Sequence, residues 1–229
     1  LARLYDLFEG KFPSVDLEVR ALSSGNSLLF IYLGHPLIQR WLARSETLLS
    51  SSPSQQHHVQ LSTMLIVYAW WTGEMVKMRE IAHIAHHALA ASQSNLLAEF
   101  RLSILIGSSA YYDGHVVDMA LRGYLGRTLQ MAEAQGIHLF DFQVWCMKSM
   151  EAMVLYDSAT GAAALQKAHA LNPGKRGALH LLTMSEVAQR LSERDWHGAV
   201  ELAQQRLQVS PDFGGWDFGR HLVDLALAH

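Results

Sequence analysis

VAQRLSERDWHGAVELAQQRLQVSP, residues 187–211, is the stretch that decides the fold. A small residue, Ala188, precedes a polar turn at Arg194-Asp195. Beyond the turn, Trp196, Ala199, Val200, Ala203 and Leu207 recur at helical spacing on one stripe, and Pro211 stops the run. Two amphipathic helices joined by so short a turn fold back on one another. Such a hairpin cannot bury its apolar face alone, so it needs neighbours of the same kind.

Those neighbours are present upstream. An apolar helix pattern ends in a small turn at Leu33-Gly34, Thr72-Gly73, Asp113-Gly114 and Tyr156-Asp157, and a second amphipathic stretch follows each time. With one anchor per copy at 34, 73, 114, 157 and 195, the intervals are 39, 41, 43 and 38 residues. A helix–turn–helix unit recurring about every 40 residues is the mark of an α-solenoid. The predicted fold is therefore all-α: a right-handed superhelical solenoid of antiparallel helix pairs, about five to six units in one domain over residues 1–229. The units fall at 16–50, 55–92, 95–136, 138–173 and 176–211, with a terminal helix at 217–229 after the glycine-rich turn 213–219.

The predicted helices cover about 1–9, 16–33, 36–49, 55–72, 75–91, 95–113, 115–135, 138–156, 159–171, 176–194, 196–209 and 217–228. Asp16 is placed as the cap of the second of these. Ile81, Ile84, Ala85, Ala88 and Leu89 form one helical stripe, and Val117, Leu121, Tyr124, Leu125, Thr128 and Leu129 form another. No stretch alternates for long enough to make a strand.

Composition narrows the function. Half of the 229 residues are hydrophobic and 17% are charged, enough for a large core and too apolar for disorder. The net charge is −3, and no Lys/Arg run supplies the basic footprint that phosphate contacts need, so direct nucleic-acid binding is not expected. The single cysteine, Cys146, precludes an intrachain disulfide framework and fits a reducing compartment, which gives the cytoplasm as the expected location. No uninterrupted apolar run of about 18 residues suggests a membrane helix. A chain running from Leu1 to His229, without a polar capping helix at either end, reads as a fragment of a longer protein.

The fifth unit resembles a tetratricopeptide repeat, whose small-residue, turn and terminal-proline places are filled here by Ala188, Leu191, Asp195, Ala199, Ala203, Leu207 and Pro211. The fourth keeps Ala168 and Pro173 but has Gly161 where an alanine is usual. The earlier units, with longer helices and no shared terminal proline, resemble the helical sensor region of large bacterial transcription activators of the maltose-regulon type. The Gly34-His35-Pro36 hinge followed by Trp41-Leu42-Ala43-Arg44 is similar to that region as well. The resemblance implies a regulatory module, separate from the ATPase and DNA-binding parts of such proteins. Neither a GxxxxGK[ST] phosphate loop nor a basic recognition helix occurs in the sequence.

In stacked hairpins the first helix of each pair lines the inner face. Projecting the fifth unit's register backward places Gln60, Thr63, Val67, Trp70 and Trp71 inward, then Arg101, Ile104, Ser108, Tyr111 and Tyr112. Gln143, Cys146 and Met150 follow in the fourth unit, and Ser185, Gln189 and Glu193 in the fifth. Trp70, Trp71, Arg101, Ser108, Tyr111, Tyr112, Gln143 and Gln189 are the candidate ligand-binding residues. The aromatic doublets Trp70-Trp71 and Tyr111-Tyr112 are the natural anchors, because aromatics bury large areas at low entropy cost. The competing reading is that one member of each doublet packs against the next helix.

No metal or cofactor is expected. His83 and His87 have the i, i+4 spacing of a zinc pair, but no third ligand completes it, and a solvated histidine face accounts for them better. Cys146 reads as a small buried or groove-facing side chain. Asp113 and Asp157 recur at turns, where aspartate satisfies free backbone donors. No catalytic constellation is visible, so an enzyme is not expected. The leading reading is an interaction or sensor module that binds a protein, a peptide or a small effector in a concave groove. The alternative is an architectural scaffold, with self-association into a homodimer left open.

Overall fold

The computed structural model describes residues 11–24, 36–91, 96–110, 118–172, 174 and 176–209. The calls at 1–9, 25–35, 111–117 and 210–229 lie outside the described residues. These include the turns at Leu33-Gly34 and Asp113-Gly114, the glycine-rich turn and the terminal helix. Ten α-helices and no strand are found among the described residues.

The chain divides into two compact units, whose described parts are residues 11–109 and 110–209. The first holds α1 (Val15–Ser23), α2 (Pro36–Ser51), α3 (Gln55–Thr72), α4 (Met75–Ala91) and α5 (Leu96–Ser109). The second holds α6 (Tyr124–Gln135), α7 (Asp141–Val154), α8 (Ser158–Leu171), α9 (Arg176–Ser192) and α10 (Trp196–Val209).

Three of the turns read from sequence are described, and all three have the same backbone. Gly73 (φ 78°), Tyr156 (φ 56°) and Arg194 (φ 62°) are left-handed. At each, the next residue's N–H reaches back five positions: Glu74 to Ala69 O (2.8 Å), Asp157 to Ala152 O (2.9 Å), Asp195 to Arg190 O (2.9 Å). The left-handed residue itself donates to Trp70 O, Met153 O or Leu191 O at 3.0–3.3 Å. This is a Schellman closure, which satisfies the carbonyls a helix leaves open at its C-terminus. In the last two cases an aspartate then caps the new helix. Asp157 Oδ1 accepts from Thr160 N, and Asp195 Oδ1 accepts from Gly198 N, both at 3.0 Å. One short motif thus ends a helix, reverses the chain and starts the partner.

Packing follows the order of the hairpins. In the first unit α1 lies against α2 and α3, α2 against α3, and α3 against α4 and α5, with α4 also meeting α5. In the second, α6 meets α7, α7 meets α8 and α9, α8 meets α9, and α9 meets α10. The first helices α1, α3 and α7 therefore each touch their own partner and the first helix of the next pair, a helical repeat-like arrangement. The core of the first unit gathers Trp41, Leu22, Ile38, Leu61, Met64, Phe100 and Ile104, all at 2% exposure or less. In the second, Cys146 and Ala168 pack with Leu182, and Val187 packs with Ala199 and Ala203. Alanines at these crossings let the helix backbones approach closely.

Two expectations are corrected. The predicted helix at 115–135 starts only at Tyr124, because Gly123 at φ 89° is left-handed and residues 118–123 turn instead. Leu121 is nevertheless buried, so the apolar stripe runs on through a turn. Asp16 does not cap its helix. Ser14 does, its Oγ accepting from Leu17 N at 3.3 Å, and Asp16 is free to point elsewhere.

Candidate functional site

In the first unit, the register projected from the fifth hairpin carries Gln60 and Thr63 to half-buried positions on α3. Further along that helix Val67 and Trp70 are buried, Trp70 at 6% exposure. On α5, Arg101 is exposed, whereas Ile104 and Ser108 are buried and the Ser108 hydroxyl donates to Ile104 O at 2.8 Å. The side chains of Trp71, Tyr111 and Tyr112 lie outside the described residues. Of the aromatic anchors, Trp70 alone can be placed, and it sits in the packed interior.

In the second unit, Gln143 on α7 is half-buried, while Cys146 and Met150 are buried beside it. Ser185 is fully buried and its hydroxyl donates to Cys146 O at 3.0 Å, tying α9 to α7 across one repeat. Burial pushes the Cys146 thiol up to about 12, with a smaller upward push from Glu186 and an opposing hydrogen bond from Ser185. A thiol so rarely ionised is a packing group, not a nucleophile.

Gln189, one turn further along α9, is a junction. Its Nε2 donates to Ser158 O (3.2 Å) and to Glu193 Oε1 (2.6 Å), joining α9 to the start of α8. Its Oε1 occupies the space beside Gly161, where an added Cβ would come within 2.6 Å. This explains the glycine in the fourth unit: the place an alanine methyl would fill is taken by the amide of the following hairpin.

The remaining electrostatics are local. The Asp157 and Asp195 carboxyls are held below their ordinary value, the first by hydrogen bonds from Thr160, the second by the Gly198 N–H and then Arg190. Partial burial works against the Lys77 ammonium, but the carboxylates of Glu46 and Glu74 outweigh it and hold Lys77 above its ordinary value. The His86 and His87 rings meet edge-on with centroids 5.2 Å apart. Among the described residues no three His, Cys, Asp or Glu side chains gather into a metal-binding group. No described helix is long and apolar enough to cross a membrane.

Two polar clusters in the first unit escape the sequence reading. Glu18, buried on α1, takes a two-pronged grip from Arg44 of α2, with Nε to Oε1 at 2.6 Å and Nη2 to Oε2 at 2.8 Å. Asp16 Oδ1 lies 2.5 Å from His57 Nε2, and His57 Nδ1 lies 2.8 Å from Ser52 Oγ. Partners 26, 41 and 5 residues apart leave no periodic signal. Only the polar run 50–58, SSSPSQQHH, hinted that this loop holds more than a connection. No protein-family model, curated protein or solved structure matches the chain.

Proposed function

We propose that this chain is a non-catalytic interaction module whose first helices present a binding face to a peptide, a protein or a small effector. The observation that carries the reading is the packing order: within the two units, α1, α3 and α7 each meet their partner and the first helix of the next pair. Repeated regularly, that order builds the right-handed superhelical stack whose inner face such modules use. Among the side chains that reach solvent from α3, Gln56, Gln60 and Thr63 form one polar stripe at helical spacing. In the second unit Gln143 reaches solvent from α7. A role as the sensor portion of a bacterial transcription regulator rests on the sequence resemblance alone.

Trp70→Ala is a poor test of this reading. Removing a buried indole costs about 3–5 kcal/mol by opening a cavity, whatever the protein binds. The better test places a photo-crosslinking residue at Gln60 and Gln143 on first helices, and at Glu80 and Gln166 on second helices. Adducts formed in cells should concentrate at Gln60 or Gln143. Equal yields at all four positions would remove the proposal.

A further inference from the structure

We propose that Ser52 is a base-activated nucleophile able to accept an acyl group from an activated ester, a property separate from the binding role above. Ser52 lies in the loop between α2 and α3, His57 in the first turn of α3, and Asp16 in the first turn of α1. With the Asp16 carboxylate 2.5 Å from Nε2, the imidazole keeps its proton on that nitrogen, which leaves the Nδ1 lone pair facing the Ser52 hydroxyl at 2.8 Å. A nucleophile bonded to a base that is oriented by a third group is the arrangement acyl transfer needs. The two imidazole nitrogens are used in the reverse of the commoner order. The proton bookkeeping is unchanged, since either nitrogen can accept while the other donates.

The surroundings fit the chemistry. His57 is buried at 9% exposure, which fixes its ring, while Ser52 is only half-buried. The Ser54 N–H donates to Ser52 Oγ at 3.2 Å, and the His58 ring Nε2 lies 2.9 Å from Ser52 O, so the loop is held on both sides. Ser54 also caps α3. Its Oγ takes the His57 N–H at 3.4 Å and its carbonyl takes the His58 N–H at 3.2 Å, which fixes the first turn that carries His57. In the step itself, Ser52 Oγ bonds to the ester carbonyl carbon while its proton passes to His57 Nδ1. The bond from that carbon to the leaving oxygen then breaks, and the proton moves from His57 to the departing alkoxide or phenoxide. The products are an acyl-serine and a free alcohol, with no change in oxidation state.

The test treats the full chain with p-nitrophenyl acetate, follows nitrophenolate release, and maps the acetyl group by peptide mass spectrometry. Acetylation at Ser52 should exceed that at the neighbouring Ser50, Ser51 and Ser54, and Ser52→Ala should abolish it. His57→Gln should slow labelling by about 100-fold or more, the range of general-base catalysis. Asp16→Asn should slow it by roughly 10-fold, since a carboxylate whose side chain is 80% exposed is screened by water. Asp16→Asn and Ser52→Ala remove only an exposed charge and a hydroxyl, so circular dichroism should show both folded. Ser52 labelled no faster than its neighbours, or equally fast in folded Asp16→Asn and His57→Gln, would reduce the cluster to a tether between helices and overturn the proposal.

Discussion

Replacing Tyr156 or Arg194 by glycine should make the second unit more stable. Both residues hold the left-handed position of a helix-reversing turn, at φ 56° and 62°. There the Cβ crowds the following carbonyl oxygen, at about 1–2 kcal/mol per residue. Glycine removes that strain but brings a more flexible unfolded chain, which takes back about 0.5–1 kcal/mol. Tyr156 is 94% exposed, so its removal sacrifices almost no buried surface. The expected net gain is about 0.5–1 kcal/mol per site. The turns belong to different hairpins, so the double variant should gain about 1–2 kcal/mol. For a chain of this size that is a rise of roughly 2–8 °C in Tm.

Gly73→Ala supplies the mirror experiment in the first unit. At φ 78° an added Cβ meets nothing within 4 Å beyond its own chain neighbours, so any loss comes from the left-handed backbone itself. It should cost about 0.5–1 kcal/mol. Urea unfolding followed by far-UV circular dichroism reads each effect as a shift of midpoint at constant slope. A destabilising Tyr156→Gly, or a Gly73→Ala that leaves the midpoint in place, would refute the claim that one left-handed backbone motif closes the three described hairpins.

Three other perturbations probe the interiors. Gly161→Ala gains about 1 kcal/mol of helix propensity but displaces the Gln189 amide and its bond to Ser158. We expect a net loss of about 1 kcal/mol, which becomes a gain in a Gln189→Ala background, and urea midpoints of the double-mutant cycle decide it. Arg44→Ala leaves the Glu18 carboxylate buried without its counter-ion and should cost about 2–3 kcal/mol, less than for a fully buried pair because the Arg44 side chain is 41% exposed. Hydrogen exchange of α1 amides should rise accordingly, and unchanged protection would count against the bidentate grip. Cys146 keeps its proton in the folded state up to about pH 12, against an ordinary value of 9.0. The unfolded chain releases it first, so this contribution is complete below about pH 9 and is lost as pH rises toward 12. Stability should therefore fall more steeply with alkali in the wild type than in Cys146→Ala, and parallel slopes would dismiss the effect.

The sequence shows hairpin boundaries where the determining chemistry is local. Helices predicted at 55–72, 75–91 and 196–209 occupy those residues, because Gly73, Asp195 and their flanking turns act on bonds within six positions. The start at Tyr124 was hidden for the opposite reason. An apolar stripe reports which side chains are buried, and Leu121 is buried from a turn as well as it would be from a helix. Only the sign of φ at Gly123 separates the two, and glycine is compatible with either.

The candidate binding residues expose a different limit. Periodicity names a helix face but not what covers it. A first helix such as α3 is approached by α1, α2, α4 and α5, so positions seven residues apart on one stripe can differ in exposure as much as Gln60 and Val67 do. Trp70 and Ser108 lie on the covered portion, and Gln189 is recruited to hold a hairpin to its predecessor. The same crowding makes a polar cross-helix contact informative. A side chain such as His57, placed between a carboxylate from α1 and a hydroxyl from the preceding loop, is held there by groups that no local pattern predicts. The chemistry most worth testing in this chain therefore lies where separate hairpins touch, and it becomes visible only when the helices are packed.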